Sequence, residues 1–173
     1  INYKKGKTMK KQKSSKKIVH KTNAMRILDK FKLQYECISY SDISAVSGRS
    51  VADALLENPN QVFKTLVAQG DSKKYYVFMI PVTKYLNLKS AAKITGEKSI
   101  DLIPQKNLLP LTGYVHGGCS PIGMKKEFPT FIDSSVSNFK EIFFSGGKIG
   151  LQIKTTPDNL SEIIPLKLYE LTD

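Results

Sequence analysis

The segment formed by residues 61–67 has the composition of a strand but carries a lysine at position 64. Because side chains alternate between the two faces of a strand, Lys64 is predicted to share a face with Val62, Leu66 and Ala68. A buried ammonium group is costly unless it is paired, deprotonated or able to meet an anionic partner. The simpler interpretation is that the lysine stem lies on apolar surface while its ammonium group reaches water. Lys64 is therefore a candidate for chemistry, with both interpretations open at this stage.

Two glycine-bearing segments lie far downstream of this lysine. Residues 112–123 contain Gly117-Gly118-Cys119-Ser120-Pro121, and residues 145–151 begin with Ser145-Gly146-Gly147. Neither segment has the glycine spacing of a dinucleotide-binding turn or of a P-loop. Each segment alone could be a tight turn between strands. Two of them together with a misplaced lysine favour a ligand cradle, in which main-chain N–H groups hold a carbonyl oxygen as it gains negative charge.

Other reactive side chains are scarce. His116 and Cys119 are three residues apart, but no nearby acid completes a nucleophilic arrangement. Cys37 fits the interior of a strand as a small hydrophobic residue. Two histidines and two cysteines scattered in this way do not make a zinc site, so we expect no metal and no cofactor. Paired carboxylates near the glycine segments are also missing, which argues against glycosidase chemistry.

Composition indicates one domain that follows a basic tail. The chain has 173 residues and 40% hydrophobic content, enough for a sizeable core, and no apolar run of membrane-spanning length. Nine of its lysines and no acidic residue lie within residues 1–21, so the remainder carries only +3 of the net charge of +12. We expect residues 1–21 to be disordered and residues 22–173 to form the domain. With no visible signal peptide and only two cysteines, the expected location is the cytoplasm.

Short strands alternate with short helices along the domain. Strands are predicted at residues 34–40, 61–67, 75–82, 99–102, 130–133, 141–144 and 150–155. Helices are predicted at residues 22–33, from 50 to about 57, and at 88–94, 104–109 and 156–164. The apolar stripe of the first helix is expected to comprise Ala24, Ile27, Leu28 and Phe31. This pattern predicts a mixed α/β (α+β) fold, either an open sheet or a partly closed barrel with peripheral helices.

The ordered set of Phe63-Lys64-Thr65-Leu66 and the two glycine segments resembles the YbaK/EbsC family of bacterial aminoacyl-tRNA deacylases. That family is related to the editing domain inserted in many bacterial prolyl-tRNA synthetases. The resemblance covers roughly residues 22–171, and it implies a curved, mainly antiparallel mixed sheet with the substrate cleft on it.

The resemblance also implies site residues. Lys64 matches the residue most closely tied to activity. The positions matching the family's substrate contacts are Tyr40, Thr65, Gly117, Gly118, Pro121, Ser145, Gly146 and Gly147. Many relatives have Asp where this chain has Gln152, so a contact to the substrate amino group is expected to be weaker here and the amino-acid specificity is left open.

The activity implied by the resemblance is removal of cysteine from mischarged Cys-tRNA(Pro), with some action on Cys-tRNA(Cys). In this reaction the substrate thiol attacks its own ester. Prolyl-tRNA synthetase is the implied partner. Two alternatives stay open: a deacylase for alanyl or another small aminoacyl ester, and a non-catalytic module that binds tRNA or a synthetase.

Overall fold

The computed structural model describes residues 20–40, 52 and 57–173. Most of the predicted tail, the predicted loop at 41–49 and most of the helix predicted from Ser50 lie outside these residues. The described α-helices are α1 (Asn23–Lys30), α2 (Leu88–Thr95), α3 (Gln105–Thr112) and α4 (Pro157–Ile163). The described strands are β1 (Glu36–Ser39), β2 (Phe63–Gly70), β3 (Tyr75–Pro81), β4 (Ile100–Leu102), β5 (Thr130–Asp133), β6 (Ile142–Ser145), β7 (Leu151–Thr155) and β8 (Leu166–Tyr169). Short 3-10 helices span Pro59–Gln61 and Ser134–Asn138.

The described strands form two sheets. One sheet has the order β4-β2-β3-β5-β8 and the other the order β1-β7-β6. Only the β3–β5 and β5–β8 pairs are parallel, so the predicted mixed and mainly antiparallel arrangement is confirmed. An isolated parallel bridge between Val62 and Phe143 joins the sheets. Within the described residues the sheets do not close into a barrel, which settles the alternative that periodicity left open.

The main core lies between the two sheets and is covered by α1. Phe63 and Met79 of the larger sheet pack in one buried cluster with Phe144 and Ile153 of the smaller sheet. The predicted stripe of α1 is partly wrong. Ala24 and Leu28 are buried as expected and Ile27 is half-buried, but Met25 is buried and Phe31 is 47% exposed. The helix ends at Lys30, which turns Phe31 away from the core.

Local signals fix the helix ends. The N-caps of α1, α2 and α4 are Thr22, Asn87 and Thr156, and each side chain accepts a main-chain N–H from the first turn. Gly96 ends α2 in the left-handed conformation, at φ +73°. The third helix is longer than predicted: it continues through Pro110 to Thr112. The sequence pattern stopped this helix early because proline usually ends one.

The Thr22→Ala variant should lose more stability than an ordinary cap variant. The Thr22 hydroxyl oxygen accepts the N–H of Met25 at 3.3 Å, and the hydroxyl also donates to the carbonyl of Gly146 at 2.6 Å. We expect Thr22→Ala to lower the free energy of unfolding by about 2 kcal/mol, because it removes a cap and a second hydrogen bond. Urea denaturation followed by circular dichroism measures this loss.

Thr156→Ala is the matched control. Thr156 caps α4 by accepting the N–H of Asn159 at 3.1 Å, without a second partner of this kind. Its loss should be about 1 kcal/mol. Thr22→Ser should retain most of the stability, since it keeps the hydroxyl. Equal losses for the two alanine variants would contradict a structural link between α1 and the second glycine segment, residues 145–151, which contains Gly146.

Candidate functional site

Lys64 lies where the sequence predicted, on the face of β2 that also carries Val62 and Ala68. Those two neighbours are buried, and Lys64 itself is half-buried. Its Nζ lies 5.4 Å from the centroid of the Tyr85 ring. Burial lowers the pKa of the Lys64 ammonium group. No carboxylate of the described residues forms an ion pair with it. Lys64 is thus a partly desolvated cation with an aromatic ring as its neighbour.

Among the described strands, a gap in pairing lies beside Lys64. The N–H of Val82 donates to the carbonyl of Val62, so the main-chain groups of even-numbered residues in β2 point to β3 and those of odd-numbered residues point to the opposite edge. On that opposite edge, Val62 bridges to Phe143, and the carbonyl of Val67 accepts from Ile103 at 3.1 Å. Between these two contacts the main chain of Thr65 faces the edge.

The Thr65 side chain points away from Lys64. It lies on the same face as Phe63 and Val67, which are both buried. Its Oγ1 is buried and has no hydrogen-bond partner among the described residues. The main chain of Thr65 is therefore the part of this residue that can contact a ligand in the gap. Its hydroxyl lies on the face of β2 opposite to Lys64.

The second glycine loop begins at the gap. Because the Val62–Phe143 bridge is parallel, Lys64 and Ser145 each lie two residues beyond it in the same direction. The Oγ of Ser145 accepts the N–H of Gly147 at 3.2 Å. Gly147 has φ +96°, a conformation that requires glycine or strains other residues. This turn leads the chain directly from β6 into the loop.

The first glycine loop packs on the second. A Cβ built on Gly118 would lie 2.9 Å from the main-chain nitrogen of Ile149, so only glycine allows this approach. Gly117, which has φ +81°, lies under the Ile149 side chain. The Tyr114 hydroxyl donates to the carbonyl of Ile122 at 2.6 Å and closes the loop on itself. The two loops, far apart in sequence, thus form one wall.

The face of the smaller sheet that adjoins Lys64 carries a buried amide side chain, that of Gln152. Phe143 packs with Val62, and Ser145 lies on the same face of β6 as Phe143. Gln152 lies directly across from Ser145 in the ladder, and Ile38 lies across from Gln152. Gln152 is only 6% exposed, and its Oε1 has no hydrogen-bond partner among the described residues. A hydrogen-bond acceptor is therefore buried on the Lys64 side of the sheet.

The remaining expected residues lie at the margin of this arrangement. Tyr40 is buried at the end of β1, and its N–H donates to the carbonyl of Gly150 at 2.8 Å. Gly146 is buried, and its carbonyl is held by Thr22. Pro121 lines a different cavity, one that faces Ile27 on α1. The fold thus brings Lys64, Ser145 and the glycine loops to one region, whereas Pro121 faces elsewhere.

The sequence analysis missed Tyr85. This residue lies in the connection between β3 and α2, outside every motif, and only the path of that connection brings its ring to Lys64. The one local signal was an aromatic residue that follows a lysine in a segment without acidic residues.

Residues 44–163 match the aminoacyl-tRNA editing domain. The chain belongs to that family. EbsC of Enterococcus faecalis (strain ATCC 700802 / V583), named as a candidate Cys-tRNA(Pro)/Cys-tRNA(Cys) deacylase, is 37% identical over 160 residues, which cover 92% of this chain and 98% of EbsC. YwhH of Bacillus subtilis (strain 168), named as uncharacterised, is 23% identical over 128 residues, which cover 74% of this chain and 81% of YwhH.

The fold of this editing domain is shared with solved structures. The crystal structure of a candidate trans-editing enzyme for prolyl-tRNA synthetase has a TM-score of 0.78 to this chain at 20% identity, covering 90% of this chain and 99% of that one. The family resemblance and the mixed α+β fold expected from the sequence are both confirmed.

Several features of the described residues limit the chemistry that the editing domain can perform. Burial raises the pKa of the Cys119 thiol to about 12, so this thiol is protonated at neutral pH. His116 is exposed while Cys119 is buried, and the structure places no hydrogen bond between these two described residues. Among the described residues, no three His, Cys, Asp or Glu side chains gather as a metal site would require. None of the described helices has the length and apolar character to cross a membrane.

The exposure of Cys37 differs from the expectation. The sequence predicts that Cys37 is a small hydrophobic residue in the interior of a strand, but it is exposed in the structure. The reason is that β1 lies at the edge of the smaller sheet, where one side of the strand has no neighbour among the described residues.

The two cysteines should therefore differ in reactivity. Burial raises the pKa of both thiols, but Cys37 is exposed whereas Cys119 is buried and has a pKa of about 12. With iodoacetamide at pH 8, we expect Cys37 to be alkylated in the native protein and Cys119 to be spared, because the thiolate is the reactive form and the reagent reaches Cys37 more readily. Peptide mass spectrometry measures both sites. Cys37→Ser is the control: it should take up no label when native and one label in denaturant. Rapid native labelling of Cys119 would refute its assignment as an inert core residue.

Proposed function

We propose that this editing domain is an aminoacyl-tRNA deacylase that removes cysteine from mischarged Cys-tRNA(Pro), and that Cys-tRNA(Cys) is a second substrate. The observation that carries this proposal is the setting of Lys64, a partly desolvated cation that has no ion-pair partner among the described residues and lies beside the gap in β2 pairing. Membership in the editing-domain family and the identity to EbsC support the same assignment.

The reaction that suits this site takes its nucleophile from the substrate. The cysteinyl thiol attacks the carbonyl carbon of its own ester, and a carbon–sulfur bond forms while the bond from that carbon to the ribose oxygen breaks. The ribose 3′-oxygen leaves and acquires a proton, and cysteine departs as a cyclic thiolactone that water opens. Orientation of the reacting atoms alone can lower the barrier by about 7–11 kcal/mol. A protein without a nucleophilic dyad can therefore accelerate this reaction.

The proposed roles follow from position. Lys64 offsets the negative charge on the departing ribose oxygen, since its ammonium has no carboxylate partner in the described structure. The N–H groups of the 117–118 segment are candidates for binding the carbonyl oxygen, although the N–H of Gly118 already donates to Val115 at 3.0 Å in the free protein. Gln152 Oε1 is a neutral acceptor for the substrate ammonium group.

The proposed setting of this activity is the cytoplasm, with prolyl-tRNA synthetase as the partner that delivers tRNA(Pro). The described domain is not strongly basic, since the lysine-rich segment at residues 1–21 holds most of the net charge. A partner that already holds the tRNA would compensate for the modest charge of the domain.

The first test is deacylation of Cys-tRNA(Pro) by the Lys64→Ala and Lys64→Met variants. We expect a loss of at least 100-fold in kcat/KM, because removal of a group that stabilises charge in the transition state typically costs about 2.7–4 kcal/mol. Release of radiolabelled cysteine from the tRNA measures the rate. Retention of full activity in both variants would contradict the assigned role.

Lys167→Met is the matched control. Lys167 is also a strand lysine near an aromatic ring, with its Nζ 5.7 Å from the Phe131 centroid, but it lies on β8 at the far edge of the larger sheet. Its variant should keep wild-type activity. Lys64→Met should also be no less stable than the wild type at pH 7, because the lowered folded-state pKa means that charged Lys64 destabilises the fold. This cost fades as the pH rises through the lowered pKa toward 10.5, the ordinary lysine value, and is absent above it. No turnover by the wild type would favour a non-catalytic binding module.

The second test is dependence on the substrate thiol. We expect rapid release of cysteine from tRNA(Pro), and at least 100-fold slower release of alanine, serine and S-methylcysteine, since these lack a free thiol to replace external water. Single-turnover deacylation of the four esters measures the difference. Serine and S-methylcysteine are the controls for size and polarity. Equal rates for alanine and cysteine would indicate instead a deacylase for small aminoacyl esters.

A further inference from the structure

Tyr85 is unusually exposed for a large side chain. Its exposed fraction is 82%, and the next most exposed large hydrophobic side chain among the described residues, Ile149, reaches 55%. An exposed aromatic ring offers a large flat surface to a ligand. The ammonium of Lys64 lies over the ring, with its Nζ 5.4 Å from the ring centroid.

The main chain around Tyr85 is fixed although its ring is exposed. The N–H of Lys84 donates to the carbonyl of Pro81 at 3.0 Å, which closes a turn just before Tyr85. Leu86 forms a bridge to Thr172 just after it. The ring is therefore presented from a backbone that is held on both sides, and little conformational freedom remains to be lost when a ligand binds.

The charge of the segment that carries Tyr85 suits a polyanion. Residues 82–96 contain Lys84, Lys89 and Lys93 and no acidic residue, and Lys64 adds a fourth positive charge from β2. Two described carboxylates lie near this segment. Glu97 directly follows it and accepts hydrogen bonds from Ser72 and Tyr76, and Asp173 accepts a hydrogen bond from the side chain of Asn87. An aromatic platform among lysines is the combination that binds single-stranded nucleic acid, in which bases stack on rings and phosphates meet cations.

We propose that Tyr85 stacks on the base of the 3′-terminal adenosine of the charged tRNA while Lys64 meets the sugar or phosphate oxygens of the same nucleotide. This inference rests on the proposed function, since it takes an aminoacyl ester near Lys64. With Nζ of Lys64 5.4 Å from the ring centroid, one nucleotide is long enough to reach both groups. Stacking on Tyr85 thereby places the ester at the gap in β2 pairing.

Fluorescence provides a direct test, because the chain contains no tryptophan. Tyr85→Trp introduces a single indole at the proposed platform, and Phe31→Trp, at an exposed aromatic beyond the end of α1, is the matched control. The probe is an RNA minihelix that ends in CCA, carries cysteine through a non-hydrolysable 3′-amide, and is compared with the same RNA without its terminal base.

Stacking predicts that the complete probe quenches the indole of Tyr85→Trp and that the abasic probe does not. The Phe31→Trp signal should not distinguish the two probes. Equal responses of the Tyr85→Trp indole to both probes would overturn the proposal, since the RNA would then bind near residue 85 without base contact. This readout needs binding but no turnover, so it can succeed even where deacylation fails.

Kinetics separates stacking from an effect on Lys64. Tyr85→Ala should raise KM for Cys-tRNA(Pro) by roughly 10-fold, within the range that loss of one base–aromatic stack produces, with little change in kcat. Tyr85→Phe should rescue KM because it keeps the ring. Cysteine methyl ester has no base, so its deacylation should be the same in the wild type and Tyr85→Ala. A parallel loss on the methyl ester would show that Tyr85 acts only by positioning Lys64, which would overturn the proposal.

Discussion

The bridge between Val62 and Phe143 is the contact on which the candidate site depends. On its outer edge, β2 pairs with β4 only at residues 68–70, while its beginning meets β6 at the bridge. Two sheets therefore share one strand edge, and neither covers its middle. Without the bridge, Lys64 would lie on an ordinary sheet edge and β6 would not lead the second glycine loop to it. This single isolated bridge thus determines where the candidate site forms.

The position of the two glycine loops also depends on a few close contacts, which lie outside the sheets. Gly118 allows the two loops to touch main chain to main chain, and Gly147 allows the turn that follows β6. The carbonyl of Gly146 is in turn held by Thr22, the residue that caps α1. The site is therefore anchored to the core through a helix that supplies none of its reactive groups. Its geometry is expected to depend on the packing of α1 as much as on the loops.

Much of this arrangement could be predicted from the sequence because local chemistry encodes it. Alternation in β2 correctly placed Lys64 with Val62 and Ala68, and the cap residues set the beginnings of α1 and α4. Non-local pairing was not encoded in that way. The exposure of Cys37 depends on β1 being an edge strand, and the contact of Tyr85 with Lys64 depends on the path of a connection. Periodicity reports which face a side chain lies on, but not which strand or loop covers that face.

The family resemblance implies aspartate in many relatives at the position of Gln152, so we expect this editing domain to have a different electrostatic balance from those relatives. A carboxylate buried on this face would add a negative charge near the Lys64 ammonium and offset part of its field. Gln152 keeps a hydrogen-bond acceptor at the position without that charge. On the proposed function, the Lys64 cation would then be more available for the anionic oxygen that forms as the ester breaks, and a dipole in place of an ion pair would hold the substrate ammonium. We therefore expect weaker ammonium recognition and stronger leaving-group stabilisation than with aspartate at this position.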